Sequence, residues 1–292
     1  MKKMKHTTIF LFLIIAQIGY TKSILSDYST FNVIVKGKGN PIILINGIGC
    51  SSDVWSETVN ALSSKNECHV IQIKGFAGIA PAVDLDFNKF INEIIFYIKD
   101  KQLKKPVLIG HSLGGLLVLR LSIREPDLAS KIIILDDYPS PLKAFIPNIT
   151  QQQIDSQATQ IANQIQSFSP DQFSLFVHNS LISSVTDSLK LSEIIHWYQD
   201  SDRKTLATAY KNYLSTDLTD SLSGIQKPVL ILGTCGSFKA AGINEDKVKD
   251  IFQMQYKNVK KCTIKISAKS HHFIMFDDFN WMISNVESFI NS

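Results

Sequence analysis

One pentapeptide constrains the fold of this chain more than any other stretch. It reads Gly110-His111-Ser112-Leu113-Gly114 and lies between a strand-like apolar run, 106–109, and a helix-like run, 116–123. G-x-S-x-G in this setting forms a sharp turn that raises the serine hydroxyl above the end of a sheet. Glycine is needed at the flanking positions because a side chain there would collide with the neighbouring strand or helix. The sequence therefore predicts that Ser112 is a nucleophile presented by an α/β sheet.

Strand-like and helix-like runs alternate along the chain after residue 23. The strand-like runs are mostly continuous Ile, Val and Leu, as in strands buried on both faces of a parallel sheet. They cover residues 31–36, 41–46, 69–73, 106–109, 131–136, 228–233 and 262–267, separated by helix-like runs near 54–62, 88–101, 113–123, 245–254 and 281–290. This alternation predicts a three-layer α/β fold with a mostly parallel sheet of about seven strands.

Two further stretches bear on the organisation of the chain. Residues 138–227 contain no strand-like run and are filled by amphipathic helical patterns near 150–167, 170–181, 187–200 and 202–214. We therefore expect a sheet domain of residues 24–137 and 228–292, with residues 138–227 inserted as an all-helical cap. The glycine-rich stretch 36–40 lacks the pattern of a phosphate-binding loop and is predicted to be a hairpin turn between the first two strands.

The first 23 residues have the layout of a secretory signal peptide. Three lysines within the first five residues precede an apolar run over 9–18, and small residues follow. Spanning a bilayer takes about 20 apolar residues, so we expect no stable membrane span and export to the periplasm or beyond. The alternative is an uncleaved N-terminus loosely associated with a membrane.

Charge and cysteine content exclude several classes of function. Residues 1–23 hold four of the 30 basic residues and none of the 26 acidic ones, so the remainder is balanced and has no basic stripe for nucleic acid. The four cysteines, Cys50, Cys68, Cys235 and Cys262, are expected at opposite ends of strands that are not neighbours. A disulfide needs Cα atoms within about 7 Å, so free thiols are predicted. The sequence has no C-x-x-C pair, no other metal-ligand cluster and no nucleotide motif, so we expect neither metal nor cofactor.

A serine nucleophile needs a base to take its proton and an acid to orient that base. On this kind of turn the order along the chain is serine, acid, histidine. The base is expected just beyond the last strand, where His271 and His272 occur. His272 is preferred because it directly precedes the apolar residues 273–275, and His271 is the alternative. No catalytic role is expected for the other histidines.

The acid does not occupy its usual place after the strand at 228–233, where no carboxylate precedes Glu245. Asp136 and Asp137 are better placed, because the preceding strand ends next to the strand that leads to Ser112. We prefer Asp136, with Asp137 as the alternative. Asp277 and Asp278 are expected to cap the terminal helix instead.

The negative oxygen that forms during attack needs two hydrogen-bond donors. One is expected to be the backbone N–H of Leu113, directly after the serine, and the other the N–H of Ile48 in the loop Asn46-Gly47-Ile48-Gly49-Cys50. Losing one such donor typically lowers the rate by about 10²–10³-fold.

These motifs resemble those of the α/β-hydrolase superfamily over nearly all of the chain after residue 23, and in particular those of a group of its bacterial members. The matching stretches are residues 46–48 with Trp55, then 74–78, 135–139, 232–234 and 272–278. The resemblance implies a triad of Ser112, Asp136 and His272, no cofactor, and a helical cap that shapes the pocket. The chain departs from most members at Asn46, where they have histidine, and in lacking an acid after Gly233, although relatives with the acid one strand earlier exist.

The expected activity is hydrolysis of a carboxylic ester through an acyl-enzyme on Ser112. A neutral surface and an apolar residue at Ile48 suit a small or medium uncharged acyl ester. Amidase, aminopeptidase-like or thioesterase activity is the nearest alternative, because the same residues serve all of these reactions. A non-catalytic binding protein on the same scaffold is the alternative from a different class. Serine at position 112 argues against epoxide hydrolase and dehalogenase chemistry, which need a carboxylate there.

Overall fold

The computed structural model describes residues 24–292, and the predicted signal segment therefore lies outside the described residues. Its sheet is built, in chain order, from β1 (Ile24–Asp27), β2 (Phe31–Gly37), β3 (Asn40–Ile45), β4 (Asn66–Ile73), β5 (Val107–His111), β6 (Lys131–Leu135), β7 (Val229–Thr234) and β8 (Cys262–Ser267). The eight strands are ordered β1-β2-β4-β3-β5-β6-β7-β8. β2 is antiparallel to both neighbours and the remaining pairs are parallel. The sheet has one strand more than the seven predicted. The additional strand is β1, whose four residues are too few to give a sequence pattern.

Helices flank this sheet and also fill the interval between β6 and β7. In chain order they are α1 (Ser56–Leu62), α2 (Phe87–Asp100), α3 (Leu113–Arg124), α4 (Pro141–Phe145), α5 (Gln151–Ser167), α6 (Pro170–Leu181), α7 (Ser188–Gln199), α8 (Arg203–Leu214), α9 (Glu245–Gln255), α10 (Ile274–Asp277) and α11 (Phe279–Asn291). The predicted three-layer α/β fold is confirmed. Within residues 24–292, no helix has the length and apolar character needed to cross a membrane.

The centre of the sheet is apolar on both faces, as the continuous Ile, Val and Leu runs predict. The last four residues of β6, Ile132 to Leu135, are fully buried, and so are Ile42 to Ile45 of β3. Because β3, β5, β6 and β7 lie side by side and parallel, their carboxyl ends open at one edge. In open parallel sheets, ligands bind at this edge.

Residues 36–40 do not form the predicted hairpin. β2 and β3 are not paired, because β4 lies between them, antiparallel to β2 and parallel to β3. Gly37 and Gly39 both have positive φ angles, of 90° and 127°, and a Cβ at either would collide with a backbone oxygen of Lys65 or Asn66. The glycines indicate a tight turn. They contain no information about β4, which begins 26 residues after Asn40 and lies between β2 and β3.

All four cysteines are free thiols. The reason differs in part from the one predicted, because Cys235 and Cys262 belong to neighbouring strands. Cys262 pairs with Val229 at the start of β7, whereas Cys235 directly follows the end of that strand. The two thiols therefore lie at opposite ends of the strand pair.

We refer to residues 138–227 as the cap segment. The four helices predicted there from periodicity are present as α5 to α8, and each begins at a residue that favours a helix N-terminus. Thr150 and Ser169 form complete capping boxes with Gln153 and Gln172. The side chains of Asp187 and Asp202 cap α7 and α8.

Candidate active site

Ser112 occupies the turn between β5 and α3 in a strained backbone conformation. Its φ is 51° and its ψ is −127°, a region that non-glycine residues rarely adopt. A Cβ at Gly110 would collide with the Gly114 carbonyl oxygen, and a Cβ at Gly114 would collide with the Ile45 carbonyl oxygen. Glycine at position 110 therefore lets β5 approach α3, and glycine at position 114 lets α3 approach the end of β3.

The structure brings His272 and Asp136 together at the same edge of the sheet. Nδ1 of His272 lies 2.8 Å from Oδ2 of Asp136, and Oδ1 of Asp136 accepts a hydrogen bond of 2.9 Å from the Thr234 N–H. Both carboxylate oxygens are thus held. A carboxylate at Nδ1 favours the tautomer with its proton there, which leaves Nε2 as the basic nitrogen.

Asp137, the alternative acid, lies in a different environment. Its side chain is fully buried, Oδ1 accepts a hydrogen bond of 2.8 Å from the Tyr213 hydroxyl, and Oδ2 has no partner among residues 24–292. Burial raises the pKa of Asp137 well above its usual value, because an apolar surrounding disfavours the charged carboxylate. It makes no hydrogen bond to either His271 or His272.

His271, the alternative base, pairs with Asp277 instead of with Asp136. Its N–H and its Nδ1 lie 2.8 Å and 3.1 Å from Oδ2 of Asp277. The other oxygen of Asp277 accepts hydrogen bonds from the N–H and hydroxyl of Thr186, at 2.9 Å and 2.7 Å. Because Thr186 belongs to the cap segment, Asp277 ties that segment to the loop that carries both histidines.

The prediction that Asp277 and Asp278 begin the terminal helix as caps is confirmed for the position of Asp278, the N-cap residue of α11, and is wrong for Asp277, which ends α10. Asp278 is the residue before α11 but makes no side-chain capping bond. It instead accepts a hydrogen bond of 2.9 Å from the Ser267 hydroxyl and pairs with Lys269 at 2.9 Å. Both carboxylates are bound by partners that lie outside the helix, which a local capping pattern does not reveal.

Two backbone N–H groups near Ser112 are unpaired among residues 24–292. One belongs to Leu113, which directly follows the serine, and the other to Ile48 in the loop after β3. A Cβ at Gly47 would lie 3.1 Å from the Ser112 Cβ. The side chain of Asn46 donates a hydrogen bond to the Cys50 carbonyl oxygen and so closes the loop. This contact gives Asn46 a structural role at the position where histidine is usual.

His111 is a residue that sequence reasoning missed. It is fully buried, its Nε2 lies 3.0 Å from the His272 carbonyl oxygen, and the two imidazole rings are 4.6 Å apart. Burial lowers the pKa of His111 well below its usual value, so the ring is neutral and Nε2–H donates to that carbonyl. His111 therefore fixes the backbone of the loop that carries His272. The sequence did contain one signal for this role, because His111 is a polar residue at the end of an otherwise apolar strand.

Ser112, Asp136 and His272 line one cavity of about 420 Å³ between the sheet edge and the cap segment. Ile48 contributes to its wall, and the cap segment adds apolar side chains and the phenols Tyr138, Tyr198, Tyr210 and Tyr213. Burial raises the pKa of Tyr210 to about 12, so its hydroxyl stays neutral and can donate a hydrogen bond. Of the described residues that line this cavity, none is lysine or arginine.

In the part of the chain that the structure describes, no group of three or more His, Cys, Asp or Glu side chains is arranged to hold a metal ion. The polar groups at the sheet edge include one serine with a strained backbone, one histidine–carboxylate pair and the two unpaired N–H groups of Ile48 and Leu113. This set can bind a carbonyl group, attack it and move a proton.

Comparison with known proteins agrees with this geometry. Residues 40–279 match the family model described as the alpha/beta hydrolase fold. The (E)-2-((N-methylformamido)methylene)succinate hydrolase of Acinetobacter baylyi is 24% identical over 213 residues, 71% of this chain and 76% of that protein. The pimeloyl-[acyl-carrier protein] methyl ester esterase of Aliivibrio salmonicida is 28% identical over 104 residues, 36% of this chain and only 38% of that protein.

Among solved structures, MenH from S. aureus superposes on this chain with a TM-score of 0.74 at 14% sequence identity. The superposition covers 90% of this chain and 98% of the MenH chain. At this identity the likeness shows a shared fold. Since the family model matches most of the chain, this protein belongs to the alpha/beta hydrolase family.

Proposed function

We propose that this protein is a serine hydrolase that cleaves a carboxylic ester through an acyl-enzyme on Ser112. One observation carries the proposal: a strained serine and a histidine held 2.8 Å from a carboxylate line the same cavity. Two unpaired N–H groups, those of Ile48 and Leu113, are the donors for the oxyanion.

The reaction follows from the roles of these groups. Ser112 Oγ attacks the ester carbonyl while His272 Nε2 takes the hydroxyl proton, and Asp136 stabilises the resulting imidazolium. The tetrahedral oxyanion collapses, the C–O bond to the alcohol breaks, and His272 returns its proton to the leaving oxygen. Water then attacks the acyl-enzyme with His272 again as base. The acid is released and the Ser112 hydroxyl is restored.

The lining of the cavity supports an uncharged substrate. Leaving a charged carboxylate without a partner in a buried site is costly, and none of the described lining residues is a lysine or arginine. One relative is named as a methyl ester esterase, which supports an ester as the bond cleaved. Another relative is a hydrolase of an N-acylated enamine, so amide hydrolysis is the competing reaction to be measured.

A pre-steady-state experiment tests the proposal. With p-nitrophenyl butyrate, we expect a burst of p-nitrophenol equal to the enzyme concentration, followed by slower turnover, if deacylation limits the rate. The matched butyryl anilide and butyryl thioester, measured beside it, should react at least about tenfold more slowly. Faster cleavage of the anilide would contradict the ester assignment. Absence of cleavage of all three by folded protein would favour a binding protein on the same scaffold.

Export through residues 1–23 is a separate part of the proposal. It is supported by the basic and then apolar sequence of that segment. N-terminal sequencing of protein recovered from the periplasmic or culture fraction tests it. A mature N-terminus near residue 24 is expected, and recovery of the intact chain from the cytoplasm would contradict it.

A further inference from the structure

A second groove lies beside the catalytic cavity, along α6. It has a volume of about 400 Å³ and is lined by Phe168, Gln172, Leu175, Phe176, Asn179 and Ser180. Ser180 also lines the catalytic cavity, so the two spaces share one wall residue. We call this surface the tail groove.

Helix geometry explains why the groove leads to the cavity. Gln172, Phe176 and Ser180 are spaced by four residues on α6, which places them on one face of the helix. Ser180 has a small and exposed side chain, so it leaves the boundary between the two spaces open.

Aromatic contacts join the wall of the groove to the wall of the cavity. The ring of Phe176 meets the ring of Tyr210 edge-on, with centroids 6.0 Å apart, and Tyr210 lines the catalytic cavity. Phe168 packs on the other side of Phe176 at 5.5 Å. Aromatic side chains therefore connect the groove to the cavity wall, and the polar residues that line the groove, Gln172, Asn179 and Ser180, are all uncharged.

We propose that the tail groove binds the aliphatic chain of the acyl group, which makes the substrates esters of medium- or long-chain fatty acids. The inference rests on the proposed function and specifies its substrate class. Leu175, at the outer part of the groove, is 61% exposed, and an alkyl chain would remove this apolar surface from water. The acyl chain is the suitable occupant because it stays attached to Ser112 through both steps, whereas the alcohol leaves after the first.

The chain-length dependence of kcat/KM tests this assignment. p-Nitrophenyl butyrate and decanoate are compared below their micelle concentrations, in the wild type and in Leu175→Asp and Ser180→Trp. We expect the wild type to prefer the decanoate, by up to about fourfold for each methylene group that enters the groove. Both variants should lower the decanoate-to-butyrate ratio by about tenfold. Because the ratio is internal to each variant, partial loss of folded protein does not affect it.

Leu189→Asp is the matched control. Leu189 is an 80% exposed leucine on α7, in the same cap segment but outside the tail groove, and its replacement should leave the ratio unchanged. Hydrolysis that depends on Ser112 but shows the same ratio in Leu175→Asp and wild type would overturn the inference. So would a ratio that responds only to the alcohol chain, in a series of alkyl butyrates. If no ester is hydrolysed in a Ser112-dependent way, the proposed function fails and the inference fails with it.

Discussion

The edge of the sheet and the cap segment are held in shape by different means. At the edge, glycines accept backbone positions that no side chain permits, and Asp136 is fixed through both of its oxygens. In the cap segment, α5 to α8 depend on N-terminal capping residues and an amphipathic pattern, requirements that many sequences satisfy. The edge holds Ser112, Asp136 and His272, whereas the cap segment supplies most of the other residues that line the cavity.

Asp136→Asn should produce the largest effect on activity. The amide can still accept a hydrogen bond from Thr234 N–H, but it cannot stabilise the imidazolium of His272. We expect kcat to fall by about 10³–10⁴-fold with little change in the melting temperature. A loss of less than tenfold in folded protein would show that Asp136 is not the orienting acid.

Gly114→Ala tests whether the edge is as intolerant of side chains as its geometry indicates. The added methyl would collide with the Ile45 carbonyl oxygen, so we expect the free energy of unfolding to fall by about 2–4 kcal/mol and activity to be lost. In the control, Gly224→Ala, the nearest atom would be 3.8 Å away. Urea denaturation should show a change within about 0.5 kcal/mol for this control, and equal effects of the two substitutions would contradict the account.

Asp277→Asn tests the connection between the two regions. The amide offers one acceptor where the carboxylate serves both His271 and Thr186, so one set of donors is left unpaired. We expect the free energy of unfolding to fall by about 1–3 kcal/mol and kcat/KM by about tenfold, because the loop carrying His272 loses its anchor. Asp127→Asn, at a 94% exposed surface ion pair with Lys227, is the control and should change neither quantity. A change in stability with unaltered kcat and KM would show that Asp277 does not position the base.

Asp137→Asn should have the smallest effect, and it should raise the stability of the protein where Gly114→Ala and Asp277→Asn lower it. Burial raises the pKa of Asp137 in the folded protein and so favours its protonated form there, whereas the unfolded chain releases this proton above its ordinary pKa of about 4. The unfolded state then binds fewer protons, so this residue lowers stability as the pH rises. The asparagine variant should melt at a higher temperature than wild type at pH 8, and the difference should disappear towards pH 4. A lower melting temperature at pH 8 would mean that Asp137 is charged in the folded protein.

The fold and the members of the candidate site could be predicted from the sequence to different extents. The strands of the sheet centre were predictable because burial on both faces requires continuous Ile, Val and Leu. The hairpin at 36–40 and the capping role of Asp277 were wrong, because β4 separates β2 from β3 and because Asp277 binds Thr186, which lies 91 residues away.

Local patterns also could not separate adjacent residues of the same type. The sequence offered Asp136 beside Asp137 and His271 beside His272, and no spacing rule distinguishes neighbours. Only the backbone at the end of β6 does so, since it points one carboxylate towards His272 and buries the other against Tyr213. The role of His111 was hidden for the same reason, because its acceptor lies 161 residues away in the chain.

Labelling with a fluorophosphonate probe, followed by mass mapping of the modified peptide, tests the central claim most directly. The account predicts one adduct per chain, located on Ser112, with labelling abolished in Ser112→Ala, strongly slowed in Asp136→Asn and unchanged in Asp137→Asn. Folded wild-type protein that stays unlabelled at high probe concentration, or that carries the adduct on another residue, would contradict it.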